Sequence, residues 1–566
     1  MKKIVFIFLI QFICLKGQSL WNGQGHIPQD YQLDWFNSGL LNNYTLTADI
    51  IFDVTDPVFG ADPADNTFDD FPAIQAAIYA ARNYEGLVII YFPTGTYNIF
   101  SRIELMEQDS NLVFQGNGSD QTILKFEVGS GTQCFYIHGT KSETTHYLDQ
   151  DIPKGSNLIY GSTLNSLNSG DWIRFSEFDY PVHSGWAIGT VGQISKIVNQ
   201  TGNEATIKDI ASKEYSNSFN LTLWKILPIK NVGFEKIQIY RGDNGDSDIG
   251  SNIMFEYAVN CWIKGVESYK TCRHHVDIWY SSHIEVSGNY FHDANSHGDE
   301  GRGYGVIINF SSTNCLIENN IFRKLRHAMA VQAGANSNVF TYNYSTEQDW
   351  NYSNKGPDLC LHGNYPYSNL FESNWVEKIE ADNTHGWNGP YNTFVRNMAT
   401  KEPIAYLRKM KKWSILGSMW INNENIAYPL RLRWDHSSPV DLYGVENSYT
   451  NAVAHNPAYD GPGYSHYKLD DISYYYSAAP EFLNGYSWPS IGPKTQTQGE
   501  ISYNIPAKDR FSNSLKTYLT EKTQWPTPRL APTIRNVFSS SGSTTFELTN
   551  NGYCNNMQWT ASHNVP

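Results

Sequence analysis

Between Tyr304 and Asn397 the chain repeats one pattern four times, and this repetition constrains the fold more than any other feature. The copies run from Tyr304 to Asn320, His327 to Asn343, Asp358 to Asn374 and Asp382 to Asn397. Tyr304, His327 and Asp358 each precede their closing asparagine by sixteen residues, and Asp382 precedes its own by fifteen. Short β-rich runs separated by polar turns at a period of roughly 20–30 residues are the mark of a solenoid, because each unit buries its apolar side only against the next. In a parallel stack, equivalent positions lie about 4.8 Å apart, so one repeated slot becomes a column of side chains. Asn320, Asn343, Asn374 and Asn397 fit an internal amide ladder at a coil corner.

A chain of 566 residues could hold several ordinary domains, but a solenoid grows along one axis and needs only one. The net charge of −15 argues against nucleic acid as a partner. Aromatic residues at 14%, with 37 Tyr and 16 Trp, suit a β-rich exported protein that handles sugars by ring stacking. Residues 1–18, with Lys2 and Lys3 before an apolar run from Ile4 to Leu15, read as a signal peptide, which predicts a secreted or periplasmic monomer with no membrane span. Six cysteines remain beyond it without CxxC spacing, and buried thiols are expected rather than a disulfide framework.

Leu20 to about Asp65 reads as an arm packing on the first coils. An acidic first turn at Asp69 and Asp70 then opens a helical pattern with apolar Ile74, Ala77, Ile78 and Ala81, a helix that caps the stack. Gly86 to Tyr97 follows as a buried strand and turn, and Phe114 to Gly118 as a second turn. This segment, from Asp53 to Phe126, resembles the opening module of the pectate-lyase-like right-handed parallel β-helix superfamily, which includes polysaccharide lyases, glycoside hydrolases, epimerases and phage tailspikes. The resemblance implies an all-β, right-handed parallel β-helix over residues 19–450. Alternating short strands at 141–228 predict a small β insertion. Residues 451–566 read as an irregular extension along the stack, with a short helix near Asp509 to Thr523.

Candidate chemistry gathers on the repeated slot. Asp358 and Asp382, placed on neighbouring coils, predict an acid and base pair, with Glu300 in a Gly-rich excursion as a third acid. His327, His362 and His385 add groups that titrate near neutrality. Tyr304, Arg302, Arg326, Trp387, Arg431 and Arg433 are the expected substrate contacts, the arginines for carboxylate or sulfate groups and the aromatics for sugar rings. No HxH or HExxH spacing supports a metal site, so no cofactor is expected, and a divalent cation on His and Asp ligands stays a minor alternative.

The resulting expectation is an enzyme cleaving an anionic polysaccharide, by hydrolysis through paired carboxylates. The alternative is a polysaccharide lyase in which an arginine neutralises a uronate while His and Tyr move protons. A second alternative is a surface β-helix that binds glycans without cleaving them.

Overall fold

The computed structural model describes residues 33–41, 50–178, 185–349, 356–382, 384–401, 472–491 and 501–519, with the backbone of short strands at 405–406, 418–421, 424–425, 440–443, 464–465, 533–538 and 544–549. Residues 1–18, expected to be a signal peptide, and Arg431 and Arg433 lie outside the described residues. No described helix is long and apolar enough to cross a membrane.

Among the described residues, three long parallel sheets of thirteen, ten and nine strands run along the stack, successive coils adding short strands to each. Alternate residues of these strands point inward, which is why a run such as Leu316-Ile-Glu318 needs only one large apolar residue for the interior. Phe340, Phe371 and Phe394 occupy one such position on consecutive coils, with ring centroids 5.2 and 4.5 Å apart. Polar corners hold the coils in register. Asn289, Asn320, Asn343, Asn374 and Asn397 form a buried ladder in which each amide donates to the next at 2.9 Å. A second ladder, Asn338 to Asn369 to Asn392, runs at 3.0 Å per step. Each link satisfies amide groups that burial would otherwise penalise.

The helix at Phe71–Ala81 buries Ile74, Ala77, Ile78 and Ala81 in the same core as Val88 and Ile90. Of the N-terminal arm, the described residues 33–41 touch the first coils at Leu40, which packs against Ile51, Leu87, Ile89 and Val113, and otherwise lie further along the stack. Trp35 donates to the Ser368 carbonyl at 2.7 Å and packs with Leu316, Val339 and Leu370, in the middle of the stack. Its indole finds there both an apolar seat and an acceptor.

Residues 140–227 form a six-stranded antiparallel sheet whose core includes Ala333, Tyr365 and Tyr367 of the stack. The segments at 472–491 and 501–519 lie along the stack. Tyr474 N–H donates to Glu372 at 2.7 Å, and Arg510 donates to Asn319 at 2.7 Å. The short helix there is Pro506–Ser512, earlier than Asp509 to Thr523, because Pro506 starts a helix and Ser514 leaves it with a φ of +59°. The described cysteines 134, 261, 272, 315 and 360 are buried free thiols.

Candidate active site

The third sheet forms the floor of an open cleft of about 1440 Å³. Its central strands are His274–Trp279, Tyr304–Asn309, His327–Val331, Leu359–His362 and Ile379–Asp382. Inward positions are apolar, as in the row Val276, Val306, Met329, Leu359 and Ile379. Outward positions carry the chemistry. His274, Tyr304 and His327 pair in one row, while His362 pairs with Asp382 in another. Ring centroids lie 4.6 Å apart for Tyr304 and His327, 5.3 Å for His327 and His362, and 4.7 Å for His362 and His385. Four proton-transfer side chains thus form a continuous chain of contacts.

Their orientations are set from behind. His362 Nδ1 lies 2.8 Å from Asp382 Oδ2, and Asp382 Oδ1 accepts the Thr384 N–H at 2.8 Å. Burial opposes the charge on Asp382, but the charge and hydrogen bond of His362 outweigh it and hold the carboxyl well below the usual range. His327 Nδ1 lies 2.6 Å from the Pro357 carbonyl. Burial, then the positive charges of His362 and Arg326, hold His327 well below the usual histidine value. Burial and His362 lower His385 as well, and burial raises Tyr304. At neutral pH the site therefore holds the protonated phenol of Tyr304 beside the neutral imidazoles of His327 and His385.

One geometric detail separates the two histidines at the turn. Gly363 has φ +79°, and a Cβ there would come within 2.7 Å of the Gly386 carbonyl. Only glycine allows the two turns after His362 and around His385 to approach this closely.

The structure separates Asp358 from Asp382. Met329 pairs with Leu359, a step of 30 residues, whereas the asparagine ladder steps 31 residues from Asn343 to Asn374. That single-residue slip moves Asp358 off the level of His327 and turns its side chain inward. Asp358 is 1% exposed and accepts from Ser345 Oγ at 2.7 Å and from the N–H groups of Glu377 and Lys378 at 2.9 and 2.7 Å. Burial, reinforced by Glu377, pushes its carboxyl up to about 7. The expected pairing with Asp382 on one face is not formed, since Asp382 pairs with His362 instead.

Arg326 lies at the cleft with its guanidinium 5.5 Å above the Tyr304 ring, steadied by the Gly298 carbonyl and by Asp299 at 3.8 Å. Glu300 is on the rim, where it pairs with Arg302 at 3.4 Å. Arg302 also bonds Asp246 at 2.8 Å and does not line the cleft. Trp387 does not line it either; its carbonyl accepts the Tyr365 N–H at 2.6 Å.

Four participants escaped the sequence reading. Glu380 lies two residues before Asp382 on the same face, 3.0 Å from Lys378, with its carboxyl raised by burial. His274 Nδ1 lies 3.0 Å from the buried Asp277, a pair whose signal was its register with Tyr304. Cys360 lies on the same outward face as His362, buried against Tyr304, Ile307 and Ala330. Trp186, contributed by the insertion and 48% exposed, stands 6.0 Å from His385 and 5.6 Å from Phe310.

Comparison with known proteins agrees with this architecture. Residues 51–223 match the family described as rhamnogalacturonase A/epimerase, pectate lyase-like. No curated protein matches the sequence. Solved structures with a similar course include the tailspike protein gp49 from Pseudomonas phage LKA1, at 17% identity and TM-score 0.46, covering 66% of this chain and 57% of that one. The Azotobacter vinelandii mannuronan C-5 epimerase AlgE4 A-module is 12% identical, with TM-score 0.34, covering 70% of this chain and 94% of that one. The exopolygalacturonase from Thermotoga maritima is 10% identical, with TM-score 0.34, covering 72% and 95% respectively. Three parallel sheets wound coil upon coil make the chain a parallel β-helix, and residues 51–223, its opening coils and the insertion, match the pectate-lyase-like family model.

Proposed function

We propose that this protein is an exported polysaccharide lyase that cleaves a uronate-containing chain by β-elimination. The observation that carries the reading is the contact chain Tyr304, His327, His362 and His385 beside Arg326 on the cleft floor. Arg326, with Arg273 on the same cleft, faces a substrate carboxylate, which lowers the cost of forming a carbanion next to it. His385 takes the C5 proton, electrons move to form the C4–C5 double bond, and the C4–O bond breaks. Tyr304 gives its proton to the departing oxygen, leaving one new reducing end and one unsaturated end. Trp186 and Phe310 offer faces for sugar rings along one wall. The matched family's printed description, which names polysaccharide-acting proteins, supports the substrate class. The lysines and apolar run of residues 1–18 support export.

A second reading, hydrolysis, draws on Glu380 and Asp382, whose carboxyls are shifted in opposite directions on one strand. Elimination is preferred because both Asp382 oxygens already accept hydrogen bonds, from His362 and Thr384, leaving the carboxylate poorly placed to attack. The test is Tyr304→Phe and His385→Gln, assayed for both binding and turnover of uronate oligosaccharides. The reading expects each folded variant to bind within a few-fold of the parent while kcat falls roughly 100-fold or more. Unchanged kcat in both variants would refute it.

A further inference from the structure

We propose that His327, Cys360 and His362 form a binding site for a divalent transition metal of the zinc class in the floor of the cleft. Cys360 and His362 are two residues apart on the strand Leu359–His362, so strand periodicity puts them on the same face. His327 comes from the preceding strand of the sheet. The candidate ligand atoms of all three lie within 4.8 Å of one another, and all three residues are buried. Small side-chain adjustments bring such a trio around one ion at zinc distances of about 2.0–2.3 Å.

The support behind the imidazoles is the stronger argument. The Pro357 carbonyl can only accept, so the His327 nitrogen 2.6 Å away, Nδ1, carries its hydrogen. Asp382 Oδ2 likewise accepts from His362 Nδ1 at 2.8 Å. In each ring that acceptor fixes Nδ1 as a donor and so sets the direction of the opposite edge, where Nε2 would be the ligating atom. One ring backed by a carbonyl and one by a carboxylate is the arrangement that orients metal-bound histidines and raises their basicity. A proton-transfer role for a single histidine gives no reason for two rings so held to converge on a thiol.

The donor set also selects the ion. Two imidazoles and a thiolate favour zinc, cobalt or copper over calcium and magnesium, which prefer oxygen ligands. Binding releases the Cys360 proton as the thiolate forms. His327 and His362 line the cleft while Cys360, on the same face, is covered by its neighbours, so the remaining coordination position opens toward substrate. Three protein ligands with one open position is the pattern of a catalytic rather than a structural site. There the ion would face an anionic group of the polymer, adding to Arg326.

The site stands on its own geometry, apart from the reaction proposed above. The test is to strip the full-length protein with a chelator, dialyse it against zinc or cobalt, and measure bound metal by elemental mass spectrometry alongside the visible spectrum of the cobalt form. The proposal expects one ion per chain and a sulfur-to-cobalt charge-transfer band. Cys360→Ser should abolish the band and weaken affinity at least tenfold, whereas Cys315→Ser, at a buried thiol elsewhere in the core, should change neither. Far-ultraviolet circular dichroism of the stripped parent and variants verifies folding, and His362→Gln provides a second variant if Cys360→Ser does not fold. No retained metal, or retention indifferent to both Cys360 and His362, would overturn the site. Zinc retained by a chain that leaves uronate polymers intact upholds the site and counts against the lyase reading; cleavage by a chain that retains no metal does the reverse.

Discussion

His362 and Asp382 sit directly opposite each other on neighbouring strands, with Nδ1 2.8 Å from Oδ2. The carboxylate fixes which nitrogen of the ring carries hydrogen and holds the ring against His385. Asp382→Asn keeps the shape and removes the charge, so turnover and metal affinity should both fall roughly 10–100-fold while polymer binding changes little. Parallel kinetics and metal titration check this, and parent-like values in both would show that the pair is only a packing contact.

Asp358 has the opposite profile. It is buried under the floor and satisfies one hydroxyl and two backbone N–H groups. Asp358→Ala should cost roughly 3 kcal/mol of stability by stranding those donors, yet leave kcat of the folded fraction within about twofold. Denaturant unfolding with activity normalised to folded protein measures both. A kcat collapse with normal stability would restore Asp358 as a catalytic acid.

Asp358 also shows where the sequence was legible and where it was not. Coil repeats, the asparagine ladder and the opening helix could be read because each depends on residue type at a regular spacing. The facing of Asp358 depends on a one-residue difference between the step of the sheet and the step of the corner, and two counts from a single asparagine cannot reveal it. Asp382 and His362 could be named as candidates but not joined, for the same reason. Glu380 and His274 were hidden because an isolated acid or histidine in a strand carries no signal until its neighbours across the sheet are known. Trp186 was hidden because it reaches the cleft from an insertion whose docking no local pattern encodes. The arm at Trp35 crosses the middle coils because its partners, Ser368 and Leu370, are remote in sequence.

Stability should carry a signature of Glu372. This buried carboxyl meets Ser473 and the Tyr474 N–H, and burial pushes it up to about 7 from its ordinary 4.5. The folded state therefore holds a proton that the unfolded state has lost, so the stability contribution is full below about 4.5 and declines as pH rises through 7. Glu372→Gln, which cannot ionise, should flatten that decline by about 3 kcal/mol between pH 5 and 8. Thermal melts of both proteins across that interval decide it, and parallel pH curves would show that Glu372 ionises normally.

At Gly363, alanine must adopt a φ near +79° and press toward the Gly386 carbonyl. Gly363→Ala should destabilise the protein by roughly 1–3 kcal/mol and, by pushing His362 and His385 apart, lower kcat more than tenfold. Melting and turnover measured on one preparation test the coupling, and a change in neither would mean that the turns yield freely.

The central claim is that the cleft performs elimination on a uronate polymer. The most direct measurement is to incubate the purified protein with a panel of uronate polysaccharides, following absorbance near ~235 nm and reducing ends in the same sample, since elimination creates a conjugated double bond with every new reducing end. The account predicts that both signals rise together on at least one polymer. Reducing ends that rise without absorbance would contradict it and point to hydrolysis through Glu380 and Asp382.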